Sequence, residues 1–130
     1  MYQQYKGPAK LALGKSRIPN GGLGVFAKKP IQKGELLEVC PFIEVPKTVV
    51  FGYEDNLLQN YVFTSHNDPR MSLIVFGYGS MYNHSLDNPN VVYRINASNR
   101  KRFLDFIAMR DIPAGTELFI NYGPGHRANH

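Results

Sequence analysis

The chain holds four histidines and one cysteine, and their spacing limits the chemistry open to it. His84 stands in MYNHSLDNPN (81–90), among asparagines and a turn, just after the apolar run SLIVFGYGSM. A zinc site asks for several His or Cys ligands at short spacing. His66, His126 and His130 form no local pair with His84, and Cys40 is far off, so no metal centre is expected. A nucleophilic triad needs an activated Ser or Cys. There is no G-x-S-x-G elbow, and Cys40 lies inside an apolar strand pattern, where a cysteine reads as core. GGLGVF (21–26) has a G-x-G centre, but a proline-bearing loop precedes it and a strand follows, unlike a dinucleotide fingerprint. It reads either as a turn entering a strand or as a loop whose missing side chains let a ligand lie on the backbone. FINYG (119–123) ends a strand at Tyr122. The tyrosine is either an ordinary strand-end aromatic or a hydroxyl that both donates and accepts, and so positions a nucleophile.

These groups must be carried by one domain, residues 1–130, with an ordered core expected over about 8–124 and a flexible tail over 125–130. The apolar fraction is 43% and the charged fraction 19%, ordinary for a soluble globular protein. No apolar stretch approaches the ~20 residues of a membrane helix, and MYQQYKGPAK has no signal-peptide pattern. A single cysteine excludes an intrachain disulfide and a cysteine-built zinc site, which fits an intracellular setting. The net charge is +5, with local clusters at AKK (27–29) and RKR (100–102). They read as solvated surface or as contacts to a polyanion.

The elements read as short and mostly β. GELLEVCPFIEVP (34–46) alternates Leu37, Val39, Ile43 and Val45 against Glu38, Cys40, Phe42 and Glu44, with Pro41 marking an edge or a bend. GVFAKK (24–29), VVYRIN (91–96), RFLDFIAM (102–109) and ELFINY (117–122) are β-branched and aromatic runs bounded by turn residues. IQKG (31–34) and IPAG (112–115) are similar turns, but no internal repeat is expected. YEDNLLQNYVF (53–63) is the expected helix, capped by Asp55, with Leu57, Leu58, Tyr61 and Val62 on one face. The sum is a mainly β fold of six or more strands with one or two short helices.

In order along the chain, GGLGVFAKKPIQKGELLEV, YGSMYNHSLDNPNVVY and IAMRDIPAGTELFINYG resemble the three motifs of the SET-domain protein lysine methyltransferases. The compactness is most similar to minimal viral SET proteins lacking pre-SET and post-SET modules. The resemblance implies small curved β-sheets with a C-terminal segment threaded, pseudoknot-like, through a loop. It implies S-adenosylmethionine as methyl donor, no metal, and a lysine of a protein or peptide as acceptor, with a histone tail the common substrate. Carried over by position, Gly22, Leu23 and Gly24 line the donor through their backbones, Asn83 and His84 sit against it, and Tyr122 is the catalytic tyrosine. His126 stacks on adenine from the tail. Tyr61 lines the lysine channel, Ile120 stands where an aromatic often tunes product multiplicity, and Tyr93 matches a compensating tyrosine of mono-methylating members.

Methyl transfer needs a neutral amine, while free lysine titrates at about 10.4. No residue in the motifs resembles a strong base. An apolar channel and a nearby positive sulfonium would lower the lysine pKa instead. Leu23 replaces an aromatic of the family pattern and Thr116 a glutamate. The chain also stops eight residues after Tyr122, without post-SET cysteines, so a second copy is the expected cover of the channel. A histone substrate implies a nuclear, chromatin-associated protein and contact with the nucleosome. Two other readings stand beside this one: a SET-like scaffold that binds peptide or donor without catalysis, and a basic β-domain that binds nucleic acid.

Overall fold

The computed structural model describes residues 8–19, 22–52, 54–65, 68–95 and 102–121. They form nine strands: β1 (Leu11–Lys15), β2 (Leu23–Ala27), β3 (Leu36–Pro46), β4 (Phe63–Thr64), β5 (Met71–Val75), β6 (Asn83–His84), β7 (Val91–Ile95), β8 (Phe103–Ala108) and β9 (Glu117–Ile120). One α-helix, α1 (Lys47–Phe51), and two 3-10 turns, Leu57–Asn60 and Gly79–Met81, complete the described elements. The expected β content is present, as one open sheet in the order β1-β2-β9-β7-β8-β3-β5-β4, with β6 paired to β9.

The inner face of the sheet buries Val25, Cys40, Phe63, Leu104, Phe106, Leu118 and Ile120 completely. Each large apolar side chain removed from water in this way contributes about 1.5–3 kcal/mol. Phe106 is the hub: Tyr82 stacks on it at 4.9 Å, and Phe63 and Tyr93 meet it at 6.4 and 6.0 Å.

Three expectations are corrected. The helix over 53–63 is replaced, among its described residues, by the single 3-10 turn and β4. The expected face does not act as one: Leu57 and Leu58 are exposed, Leu57 at 73%, while Val62 and the following Phe63 are buried. Asp55 is not the cap. The turn starts at Asn56, whose amide, with that of Gln59, donates to the Val50 carbonyl (3.0 and 3.1 Å) and folds the segment back on α1. The phase of β3 also differs. Leu36 pairs with Ile107 and Glu38 with Phe106, so Leu37 is the extra residue of a bulge. A bulge reverses the inward parity beyond it. Cys40 therefore points into the core, while Val39 and Ile43 are exposed. Pro41 stands where β3 passes from β8 to β5 as partner, which is the expected bend.

The turn similarity is an internal repeat, against expectation. Ala27, Ile31, Gly34 and Leu37 have Ala108, Ile112, Gly115 and Leu118 as counterparts at a constant offset. The bonding is reciprocal. Ile31 and Ile112 exchange both backbone bonds (2.9 and 2.8 Å), the Gly34 N–H donates to Ala108 O (2.8 Å), and the Gly115 N–H donates to Ala27 O (2.7 Å). Gly34 and Gly115 share the left-handed backbone, φ 85 and 86. A local two-fold axis thus relates β2–turn–β3 to β8–turn–β9, and each copy pairs with the other: β2 with β9, β8 with β3.

The C-terminal strand is threaded. Successive carbonyls of a strand point to opposite edges. Ile120 O accepts from the Ser85 N–H (2.9 Å), and Phe119 O accepts from the Asn90 N–H (3.0 Å). Residues 85–90 therefore bridge the two edges of β9, and the chain runs through that loop.

Candidate active site

Asn83 and His84 reach the site because β6 lies parallel to β9, Asn83 opposite Phe119 and His84 opposite Ile120. Gly24 arrives on β2, which pairs antiparallel to β9 through Val25↔Leu118. Where the two meet stands a group that motif reading did not single out. Glu117 is 4% exposed. Its Oε2 accepts from Ser16 Oγ (2.7 Å) and Asn83 Nδ2 (3.0 Å), and its Oε1 accepts from the Arg17 N–H (3.0 Å). Asn83 Nδ2 also donates to Leu23 O (3.1 Å). One buried carboxylate thus ties the end of β1 to β6 and β9, and through Asn83 to β2.

This close packing dictates the glycine at 24. A Cβ there would collide with Glu117 Oε2 and lie 3.0 Å from Asn83 Nδ2. Gly22 is different: its φ is +65, and among the described residues a Cβ would meet nothing within 4 Å. Room for a side chain beside it, among the described residues, suits a loop whose backbone meets a ligand. The Leu23 side chain is 51% exposed, and its carbonyl is fixed by Asn83.

The loop around β9 is held from inside. The buried Asn90 imitates a strand: its Nδ2 donates to Glu117 O (3.0 Å) and its Oδ1 accepts from the Phe119 N–H (2.7 Å). Arg110 grips the same loop through Asn88 Oδ1 (2.7 Å) and Pro89 O (2.8 Å). His84 is half-buried, and burial pushes its imidazole below the usual histidine range.

The sequence of the SET domain family matches residues 22–123. The chain belongs to the SET-domain family. It is 31% identical over 91% of its length to a histone-lysine N-methyltransferase EZH2 of Chaetomium thermophilum, and spans 8% of that protein. It is 31% identical over 78% of its length to a histone-lysine N-methyltransferase, H3 lysine-37 specific, of Schizosaccharomyces pombe, and spans 67% of that one. Among solved structures, ctPRC2 in an autoinhibited conformation bound to S-adenosylmethionine superposes with a TM-score of 0.74 at 27% identity, covering 94% of this chain and 16% of that one.

Within this SET domain the expected site residues fall into three groups. Gly22, Leu23, Gly24, Asn83 and His84 come together around Glu117 and β9. Tyr61 stands in the wall of an apolar cavity of about 400 Å³ with Leu57, Leu58, Ile74, Val75 and Met81, the last of which is two residues before Asn83. Tyr93 packs edge-on against Phe63 at 4.9 Å, and burial pushes its hydroxyl pKa up to about 12. Ile120 is fully buried beneath the 85–90 loop. Tyr122 and His126 lie outside the described residues, which end at Asn121. Among the described residues no three His, Cys, Asp or Glu side chains are grouped to hold a metal ion, and no helix is long and apolar enough to cross a membrane.

Proposed function

We propose that the chain is an S-adenosylmethionine-dependent protein lysine N-methyltransferase acting on a histone. The observation that carries it is the convergence of the Gly22–Gly24 backbone with Asn83 and His84 at β9, the strand that leads to Tyr122 in a SET domain. The residues fit the donor. Gly22 is uncrowded among the described residues, and Asn83, whose Nδ2 is taken up by two acceptors, keeps Oδ1 to accept from a ligand's N–H. S-adenosylmethionine, when bound, supplies a methyl group on a positively charged sulfur.

The chain's own residues then have three tasks. The first is to admit a cation. His84 is held towards its neutral form, so it does not repel a positively charged donor. The second is to take the target lysine out of water. Tyr61 and Met81 line the apolar cavity proposed for its alkyl stem, and desolvation there lowers an ammonium's pKa. The third is alignment, proposed for Tyr122; holding reacting atoms in line supplies several kcal/mol of a barrier. Tyr93 keeps its proton at neutral pH and so acts as a hydroxyl, not as a base. Placed beside Phe63, it is proposed to limit the room around the amine, with Ile120 packing beneath. His126 is proposed to stack on adenine. A second copy is proposed to cover the rim of the cavity, where Leu57 is 73% exposed. A histone substrate places the protein at chromatin in the nucleus.

The test is incubation with labelled S-adenosylmethionine and core histones. Transfer to lysine is expected, with Tyr122→Phe losing most turnover while keeping the fold. Wild-type turnover in that variant would remove Tyr122 from its role, and absence of any transfer by the native chain would overturn the reading.

A further inference from the structure

We infer that Glu117 is a positioning residue for the donor site and acts through the Asn83 amide; this rests on the proposed reading of that site. An amide has two unlike ends: Nδ2 carries two donors, whereas Oδ1 only accepts. Both groups facing Asn83 Nδ2 are acceptors, Leu23 O at 3.1 Å and Glu117 Oε2 at 3.0 Å. A flipped amide would set Oδ1 against two oxygens, one of them charged. The amide therefore has a single orientation, and Oδ1 is the atom left to accept from a ligand.

The carboxylate is itself fixed. Ser16 Oγ and the Arg17 N–H donate to its two oxygens, at 2.7 and 3.0 Å, so it cannot rotate to release Asn83 without abandoning a buried bond. Bonds to an ionised acceptor are about twice as strong as neutral ones. The same carboxylate occupies the space that any side chain at position 24 would take, so it also sets how closely β2 approaches β6. The other arm of the internal repeat lacks this device. The counterpart of Glu117 is Leu36, which is 52% exposed, and the counterpart of Gly24 is Asp105.

The experiment combines Glu117→Gln, Asn83→Ala and the double variant. Glu117→Gln keeps the volume but has one acceptor oxygen for donors that use two. Its Kd for S-adenosylmethionine by calorimetry is expected to rise about tenfold, while kcat at saturating donor is kept. Asn83→Ala should raise Kd similarly, and the double variant should be no worse than Asn83→Ala alone. Multiplying losses, or an unchanged Kd in a folded Glu117→Gln, would overturn the inference. A readout in the ligand-free protein separates it from the functional reading. The Asn83 side-chain amide protons should be protected from exchange in the native chain and exposed in Glu117→Gln. If the native chain binds no donor, the methyltransferase reading fails, and amide protection still decides whether Glu117 orients Asn83. Equal exchange in both proteins would overturn the inference.

Discussion

Gly22 and Gly24 are two residues apart, and the same substitution should do different things at each. In Gly24→Ala the new methyl must displace the Glu117 carboxylate or the Asn83 amide, because it falls on Glu117 Oε2 and 3.0 Å from Asn83 Nδ2. Overpacking a filled site costs about 1–3 kcal/mol. Loss of one hydrogen bond to a charged acceptor adds about 1.5–3 kcal/mol. Together they give about 2.5–6 kcal/mol, which at about 4 °C per kcal/mol lowers Tm by about 10–24 °C for a domain of this size. In Gly22→Ala the new methyl meets none of the described residues, and the left-handed backbone, φ +65, is what opposes the change. That costs about 1–2 kcal/mol, partly offset by a stiffer unfolded chain, and Tm should drop by about 4 °C. Differential scanning calorimetry of both variants reads this directly. Equal losses at the two positions, or a Gly24→Ala drop no larger than that of Gly22→Ala, would refute the placement of Glu117.

Three further outcomes are expected. The Tyr93 hydroxyl, at about 12 when folded against about 10 when unfolded, keeps its proton longer in the native state. Stability from this group is full below pH ~10 and lost as pH rises towards ~12, by at most about 2.7 kcal/mol. Urea midpoints of the native chain should therefore fall faster than those of Tyr93→Phe between pH ~9 and ~11.5, and parallel curves would count against it. Burial, then the neighbouring Glu38 charge, pushes the Cys40 thiol pKa up, so Ellman's reagent should react only as fast as the protein unfolds. Reaction in native buffer at the rate of a free peptide thiol would place Cys40 at the surface. Finally, Lys28, Lys29 and Lys33 are exposed on the turn at the two-fold axis. If they meet nucleosomal DNA, salt should depress nucleosome methylation more steeply than peptide methylation, and Lys28→Ala should flatten the slope by about one unit. Identical salt curves for both substrates would exclude that contact.

Five strands were readable because β-branched and aromatic runs sit between turn residues, as in VVYRI of β7 and FLDFIA of β8. The phase of β3 was not readable, since nothing in LLEVC marks Leu37 as the bulged residue. The false helix came from Leu57, Leu58, Tyr61 and Val62, whose spacing suits one helical face, although Val62 is buried while Leu57 and Leu58 are exposed. Of the candidate site, motifs pointed to Asn83, His84 and the Gly22–Gly24 loop, which β6 and β2 bring together at β9. Glu117 was not legible, because Ser16, Arg17 and Asn83 lie 101, 100 and 34 residues from it in the chain. Asn90 was hidden for a similar reason: its strand-like bonds to β9 span 27 and 29 residues.

The reciprocal pairing of the two arms bears on how the chain acquires its fold. β2 has no β9, and β3 has no β8, until the second arm exists. Before that, the first arm carries unpaired strand edges, the feature that invites wrong partners. Pairings so distant in sequence also close slowly, because loop entropy is lost before contacts compensate. The Gly22–Gly24 loop should therefore be among the last parts to become native, after β9 has passed through the 85–90 loop. Hydrogen exchange pulsed during refolding should find Val25 and Leu118 protected late and together.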